Sequence, residues 1–254
     1  MRVAPFASLD AASYREIVRR ALAEDVRWGD VTTEAVVPAE LTATGVIVVS
    51  TSCVLAGLDV AVECFRQLDP HVELEAARRE GERYESDTEL ARLRGGAAAL
   101  LTAERTALNF LQRLCGIATV TRDFVDASSG RITVLDTRET MPTLRALEKY
   151  AVRVAGGVNH RVGLDDVDAA LEAGVMTVKV DGLPIDAVRE VVRRSRGRAK
   201  VEVSGPVPLD RMAELAQTGA EYVSIAQLTQ AVTPIEMTFE LASDVAPQTG
   251  AQRR

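Results

Sequence analysis

The residues best suited to chemistry lie in one stretch, ITVLDTRETMPTLRALEKYAVRVAGGVNHR, from Ile132 to Arg161. Ile132 to Leu135 is a short, β-branched apolar run that reads as a buried strand. Asp136, Thr137 and Arg138 stand at its C-terminal end, where α/β sheets place their chemistry. Pro142 fits the first turn of a helix. Leu144, Leu147, Ala151 and Val154 form its apolar face, and Arg145, Lys149 and Arg153 recur at i, i+4, i+8 on another. Gly156-Gly157 ends it, with Asn159-His160-Arg161 just beyond. Asp-Thr-Arg, a basic helix and Asn-His-Arg together suit a multiply anionic ligand. Taken singly, Arg145 and Arg153 suit a solvated helix face equally well.

The rest of the chain must position those groups. A helix is expected over 11–23, then a polar cluster of Glu24, Asp25, Gly29, Asp30, Thr32 and Thr33 that suits either turns or a metal. Strands are expected at 42–49, 53–56, 72–75 and 89–94, a helix at 58–68 after Gly57, and an exposed charged segment at 78–87. A helix over 100–118 takes Thr102 as N-cap and buries Leu108, Leu111, Leu114 and Cys115. Arg105 then falls in its first turn, opposing the macrodipole by up to about 1 kcal/mol. An anionic ligand there, or a neighbour such as Glu104 or Glu148, would offset that cost.

Beyond the central stretch the pattern alternates strictly. Helices are expected at 165–173, 184–196 and 209–218. Strands at 176–180, 200–203 and 222–225 end in Asp181, in Ser204-Gly205 and in Ala226. Such βα units imply a parallel, barrel-like sheet. A last strand follows at 235–241, and a disordered tail at 244–254.

Composition bounds the function. At 254 residues the chain suits one large α/β domain or two smaller ones. A 47% hydrophobic, 4% aromatic make-up implies an aliphatic core. A net charge of −7 argues against nucleic acid as partner, so an anion site has to be local. Cys53, Cys64 and Cys115 are too few and scattered for a disulfide framework or zinc cluster. Neither a signal-peptide pattern nor a membrane-length apolar run is evident, so a reducing cytoplasm is the expected setting.

The motifs resemble those of the quinolinate phosphoribosyltransferases (nicotinate-nucleotide pyrophosphorylases, carboxylating), with a relative among molybdenum-transport-associated proteins. The likeness runs almost end to end. It covers Glu24-Asp25 to Thr33, Val54 to Gly57, Thr102 to Arg105, Leu108-Asn109 and Gly116 to Thr119. It continues through Asp136 to Arg138, Leu144 to Arg153, Gly156-Gly157, Asn159 to Arg161 and Ser224 to Thr229. The resemblance implies an N-terminal α/β sandwich domain over 1–100, completed by strand 235–241, and an incomplete, open α/β barrel over 101–234. It also implies a homodimer in which the sandwich domain covers the partner's barrel. The implied reaction joins phosphoribosyl pyrophosphate to a pyridine carboxylate, quinolinate, with Mg²⁺, losing pyrophosphate and CO₂.

Carried over by position, the resemblance makes Asp181 and Glu202 catalytic carboxylates, Asp181 orienting the ribose or metal. Arg105, Thr137, Arg138, His160 and Arg161 would contact the dicarboxylate or pyrophosphate. Ser204, Gly205, Ser224 and Ala226 would cradle the 5′-phosphate.

The departures are specific. Glu139 stands where the family has Lys, and Val158 where it has Arg. Pro206 replaces the second Gly of a Ser-Gly-Gly loop and has no N–H, and Ala226 replaces Gly. The family's Lys-Asp-Asn-His and Glu-Val-Glu strands find no place between Arg161 and Asp181. A βαβ unit needs about 30 residues, so one βα unit is expected to be missing. A rival register lays Val178 to Asp181 on the first of those strands and Val201 to Val203 on the second, but loses the match at Ser224 to Thr229. Two functions stay open. One is a phosphoribosyltransferase with eroded quinolinate and phosphate sites, or with a changed acceptor. The other is a catalytically inactive homologue serving as a binding or regulatory subunit.

Overall fold

In the computed structural model, which describes residues 8–162 and 177–243, two sheets of different sequence logic divide the chain. The antiparallel sheet joins Thr42–Val49 (β1), Glu73–Ala77 (β3), Thr88–Gly96 (β5) and Met237–Ser243 (β10) in the order β10-β1-β5-β3. β1 alternates in burial, with Ala43, Ile47 and Val49 turned to the core, as a sheet with one covered face requires. β10 lies antiparallel to β1 with Val49 opposite Met237. Gly45 is needed there, because a Cβ would come within 2.0 Å of the Phe239 ring, which itself stacks on Phe65. Cys53–Val54 (β2) and Arg83–Tyr84 (β4) form a separate two-stranded ribbon.

The parallel sheet joins Thr133–Leu135 (β6), Thr177–Asp181 (β7), Lys200–Ser204 (β8) and Tyr222–Ser224 (β9) in the order β6-β9-β8-β7. Val158 adds a parallel bridge to Leu135. Val180, Val201, Val203 and Val223 pack with Val188, Met212 and Leu215 in a core of their own. The helices are Arg15–Val26 (α1), Val31–Val36 (α2), Leu58–Leu68 (α3), Ala97–Ser128 (α4), Arg145–Val154 (α5), Ile185–Ser195 (α6), Met212–Leu215 (α7) and Gln227–Gln230 (α8). α4 gives Leu100, Leu111 and Leu114 to the first core and Phe124 to the second.

Several boundaries differ from expectation for physical reasons. The long helix starts at Ala97, not Leu100, because the run Ala97 to Leu101 has high helix propensity and Gly96 releases it from β5. Thr102 is therefore inside it, and Arg105 lies beyond its first turn, so the macrodipole argument for Arg105 does not hold. The first helix begins as a 3₁₀ turn at Ala11–Ser13 and runs on to Val26. The polar cluster at 30–33 starts a helix: Asp30 caps α2, accepting from Thr33 N (3.0 Å) and Thr33 Oγ1 (2.7 Å), and takes Thr102 Oγ1 as well (3.0 Å). β2 stops at Val54, since Leu55 and Ala56 bond to Glu82 O and Cys115 Sγ instead. The charged segment at 78–87 is not wholly exposed, because Glu80 turns inward to accept from Leu58 N (2.6 Å) and the Tyr150 hydroxyl. The helix over 209–218 divides into a 3₁₀ turn, Leu209–Arg211, and α7. The expected helix 165–173 and tail 244–254 lie outside the described residues.

Candidate active site

Strand register gathers the chemistry on one face of the parallel sheet. Asp181, Ser204, Ser224 and Leu135 share a rung at the strands' C-terminal ends, and Lys179, Glu202, Tyr222 and Thr133 share the rung two residues below. Because strand side chains alternate, the valines of β7, β8 and β9 face the helices while Lys179, Asp181, Glu202, Ser204 and Ser224 share the other side. A cleft of about 750 Å³ opens there. It is lined by Thr137, Arg138, Glu139, His160, Arg161, Lys179, Asp181, Ser204, Gly205, Pro206, Ser224, Ala226, Gln227 and Gln230.

Glu202, only 6% exposed, lies beneath the cleft, beside the lining residues Lys179 and His160. It accepts from Ser224 Oγ (2.8 Å), pairs with Lys179 Nζ (3.2 Å) and stands 3.8 Å from His160 Nε2. Asp181 accepts from Ser204 Oγ (2.9 Å). Gly205 adopts φ +111°, and a Cβ there would crowd Asp181 Oδ1 at 3.1 Å, so only glycine suits the position. Ala226 has helical angles, φ −69° and ψ −34°, so its methyl strains nothing in the backbone and only occupies cleft space.

The two cationic loops are held from behind by α5. Lys149 and Asp136, both shut off from solvent, pair at 2.6 Å. His160 N donates to the same Asp136 oxygen (2.7 Å), and Lys149 Nζ donates to His160 O (3.0 Å). Burial raises the Asp136 pKa and lowers that of Lys149, against the attraction between them. With its amide oriented to satisfy its neighbours, Asn159 donates to Asp136 and Lys149 O (2.9 Å each) and accepts from Arg153 (2.6 Å). Arg145 donates to Thr140 Oγ1, Arg138 O and Val162 O. The basic face of this helix therefore binds the chain's own loops, and none of its three cations lines the cleft. Arg138 does line it, and its Nε is buried with no hydrogen-bond partner among the described residues.

A second polar knot fixes the far wall. Glu148, fully buried, holds Arg113 (2.6 Å) and accepts from Met141 N (3.1 Å). Arg113 also donates to Thr229 O (3.0 Å), and Thr229 Oγ1 donates to Glu139 O (2.6 Å). Burial raises the Glu148 pKa despite Arg113.

Of the residues singled out in the sequence, Thr137, Arg138, His160, Arg161, Asp181, Ser204, Gly205, Ser224 and Ala226 line one cleft, with Glu202 in contact beneath. Arg105 does not join them. It lines a separate cleft of about 480 Å³ with Glu24, Asp25, Asn109 and Arg113, 79% exposed and 3.8 Å from Glu104. Of the two positions where the resemblance implies a cation, Glu139 stands in the cleft wall, while Val158 is absent from its lining. Lys179 also lines the cleft, and no loop motif marks it, although the alternation Val178-Lys179-Val180-Asp181 places it on the face of Asp181.

The family model "Quinolinate phosphoribosyl transferase, N-terminal domain" matches residues 30–115. The corresponding C-terminal domain model matches 117–168 and 165–240. The nicotinate-nucleotide pyrophosphorylase [carboxylating] of Mycobacterium leprae is 36% identical over 282 aligned positions, spanning 91% of this chain and 98% of that one. The solved structure of NadC from Streptococcus pyogenes superposes with a TM-score of 0.87 at 29% identity, covering 94% of this chain and 99% of that one. The nicotinate-nucleotide pyrophosphorylase of Francisella tularensis does so with a TM-score of 0.84 at 28% identity, covering 95% and 100%.

Proposed function

Since the chain belongs to the quinolinate phosphoribosyltransferase family, we propose that its cleft moves the phosphoribosyl group of phosphoribosyl pyrophosphate onto a pyridine carboxylate and releases pyrophosphate. The observation that carries this reading is the union of Arg138, His160 and Arg161 with Asp181, at the C-terminal end of its strand, and Glu202, two residues before the end of the next. The cations take the anionic groups of the two substrates. The carboxylates supply negative charge where the ribose carbon loses its leaving group. Ser204-Gly205 and Ser224 to Ala226 hold the 5′-phosphate, one donor short at Pro206.

Mg²⁺ fits this arrangement. Asp181 offers a hard oxygen at the cleft wall, and Mg²⁺ is commonly held by one or two carboxylates plus substrate phosphates. Bound there, it would neutralise the departing charge.

The chain acts, on this reading, as a homodimer, with Arg105 serving the cleft of a second copy, since it lines a different cleft from Arg138 in its own. One βα unit of the family barrel is missing between Arg161 and Thr177. Support comes from the C-terminal domain model, which matches in two pieces that meet at 165–168. The setting is a reducing cytoplasm, in keeping with three buried free thiols. No helix among the described residues is long and apolar enough to cross a membrane. Pyrophosphate release from phosphoribosyl pyrophosphate, with quinolinate or nicotinate as acceptor, tests the reading. Glu139 and Pro206 favour one second reading, an inactive homologue that binds or regulates, and silence with every acid would select it.

A further inference from the structure

Lys179 is a cation that the strand pattern sets inside the cleft. It shares a rung with Glu202, two rungs below Asp181 and Ser204, which places it about 6.6 Å deeper than the proposed phosphate loops. Its ammonium is 3.2 Å from Glu202, whose carboxylate is fixed in turn by Ser224 at 2.8 Å. The side chain is nevertheless 54% exposed, so the charge is aimed into the cleft rather than consumed by the pair. Arg138 and Arg161 extend from loops beyond the strand ends, and Glu139 adds a negative charge beside them. At the deep end, Lys179 and His160 flank Glu202.

We propose that Lys179 is the contact for the acceptor's carboxylate, supplied by strand β7 rather than by the Asp-Thr-Arg or Asn-His-Arg loops. The proposal rests on the transferase reading above and names the end of the cleft at which the pyridine acid sits. A carboxylate bridging Lys179 and His160 would lie below the ribose, with phosphate and pyrophosphate held at the rim. Lys179 acts on binding alone, so its loss should raise KM more than it lowers kcat.

Calorimetric titration of the full chain with nicotinate, quinolinate and inorganic pyrophosphate, each with Mg²⁺, tests this in the unmodified protein, K179M and K179R. K179M should weaken both pyridine acids by roughly ten- to a hundredfold, with pyrophosphate moving less than about threefold and K179R recovering most of the loss. The exposed side chain makes misfolding avoidable, and thermal unfolding of each variant verifies that. Unchanged acid affinity in K179M overturns the assignment. So does a pyrophosphate loss as large as the acid loss, which would place Lys179 at the leaving-group end or make it a neutraliser of Glu202. If the unmodified chain binds neither acid nor pyrophosphate, the transferase reading itself fails and this contact with it. If it binds both and K179M matches it, that reading stands without Lys179.

Discussion

Lys149 Nζ sits 2.6 Å from Asp136 Oδ1, and the same carboxylate oxygen takes the backbone N–H of His160. One buried ion pair therefore sets the spacing between the Asp-Thr-Arg and Asn-His-Arg loops. Removing one partner from a buried pair leaves the other charged and unsatisfied, at about 3–5 kcal/mol. Lys149→Met should lower stability by that much in urea unfolding. Asp136→Asn added to it should recover part of the loss, because the orphaned charge goes too. Equal stability in Lys149→Met and the unmodified chain would mean that Asp136 finds another partner.

Glu80 gives a pH signature. Burial holds its carboxyl above the ordinary 4.5, despite donors from Tyr150 and Leu58. The native state thus binds the proton more tightly than the unfolded chain. Its contribution to stability is fully present below pH 4.5 and is lost as pH rises through the raised native value. Glu80→Gln should flatten the stability profile across that window, measured by denaturant midpoints at successive pH values. A slope of the same size in both proteins would assign it to other groups.

Glu139 should restrict the acceptor. It places an anion in the cleft wall, and Val158 lends no charge, so any acceptor in use should carry one carboxylate or none. Glu139→Lys should improve quinolinate turnover more than that of a monocarboxylate. Unmodified turnover of quinolinate as good as nicotinate would show that Lys179 and its neighbours hold both carboxylates.

Pro206 lines the cleft and has no N–H to donate. A hydrogen bond to a charged group is worth about 1.5–3 kcal/mol, or roughly ten- to a hundredfold in affinity. Phosphoribosyl pyrophosphate should accordingly bind weakly, and Pro206→Gly should tighten it by calorimetry. No gain would mean that more of the cradle than this donor has changed.

Assembly can be tested directly. A single species at 27.3 kDa by sedimentation at micromolar concentration would exclude the dimer. If Arg105 serves a second copy, mixing Arg105→Ala with Arg138→Ala should restore activity, since some mixed dimers hold one intact cleft. Loss of activity in either variant alone, with no rescue on mixing, would place both residues in one subunit's chemistry.

Much of this was legible in the sequence because strand periodicity and loop motifs are local. The alternation after Arg161 announced a parallel sheet, and strand-end residues such as Asp181, Ser204 and Ser224 could be named before their neighbours were known. Charge without its partner was misleading. Arg145, Lys149 and Arg153 read as a ligand surface, yet each is engaged by a loop group six to thirteen residues away along the chain. Arg105 falls outside the first turn because the start of α4 depends on where β5 releases the chain, not on the nearest capping residue. Asp30 looked like a possible metal ligand until Thr33 and Thr102 were seen to use both its oxygens.

The return of β10 to the first sheet has a consequence for synthesis. Met237 pairs beside Val49, almost two hundred residues earlier in the chain. The other strands of the first sheet are made well before its outer strand, which is not available until Ser243 has emerged. Until then β1 carries an open edge, the kind of template on which strands of other chains pair. Gly45 and the ring of Phe239 then act as a late fastening, so losing β10 alone would leave the edge of β1 exposed to aggregation.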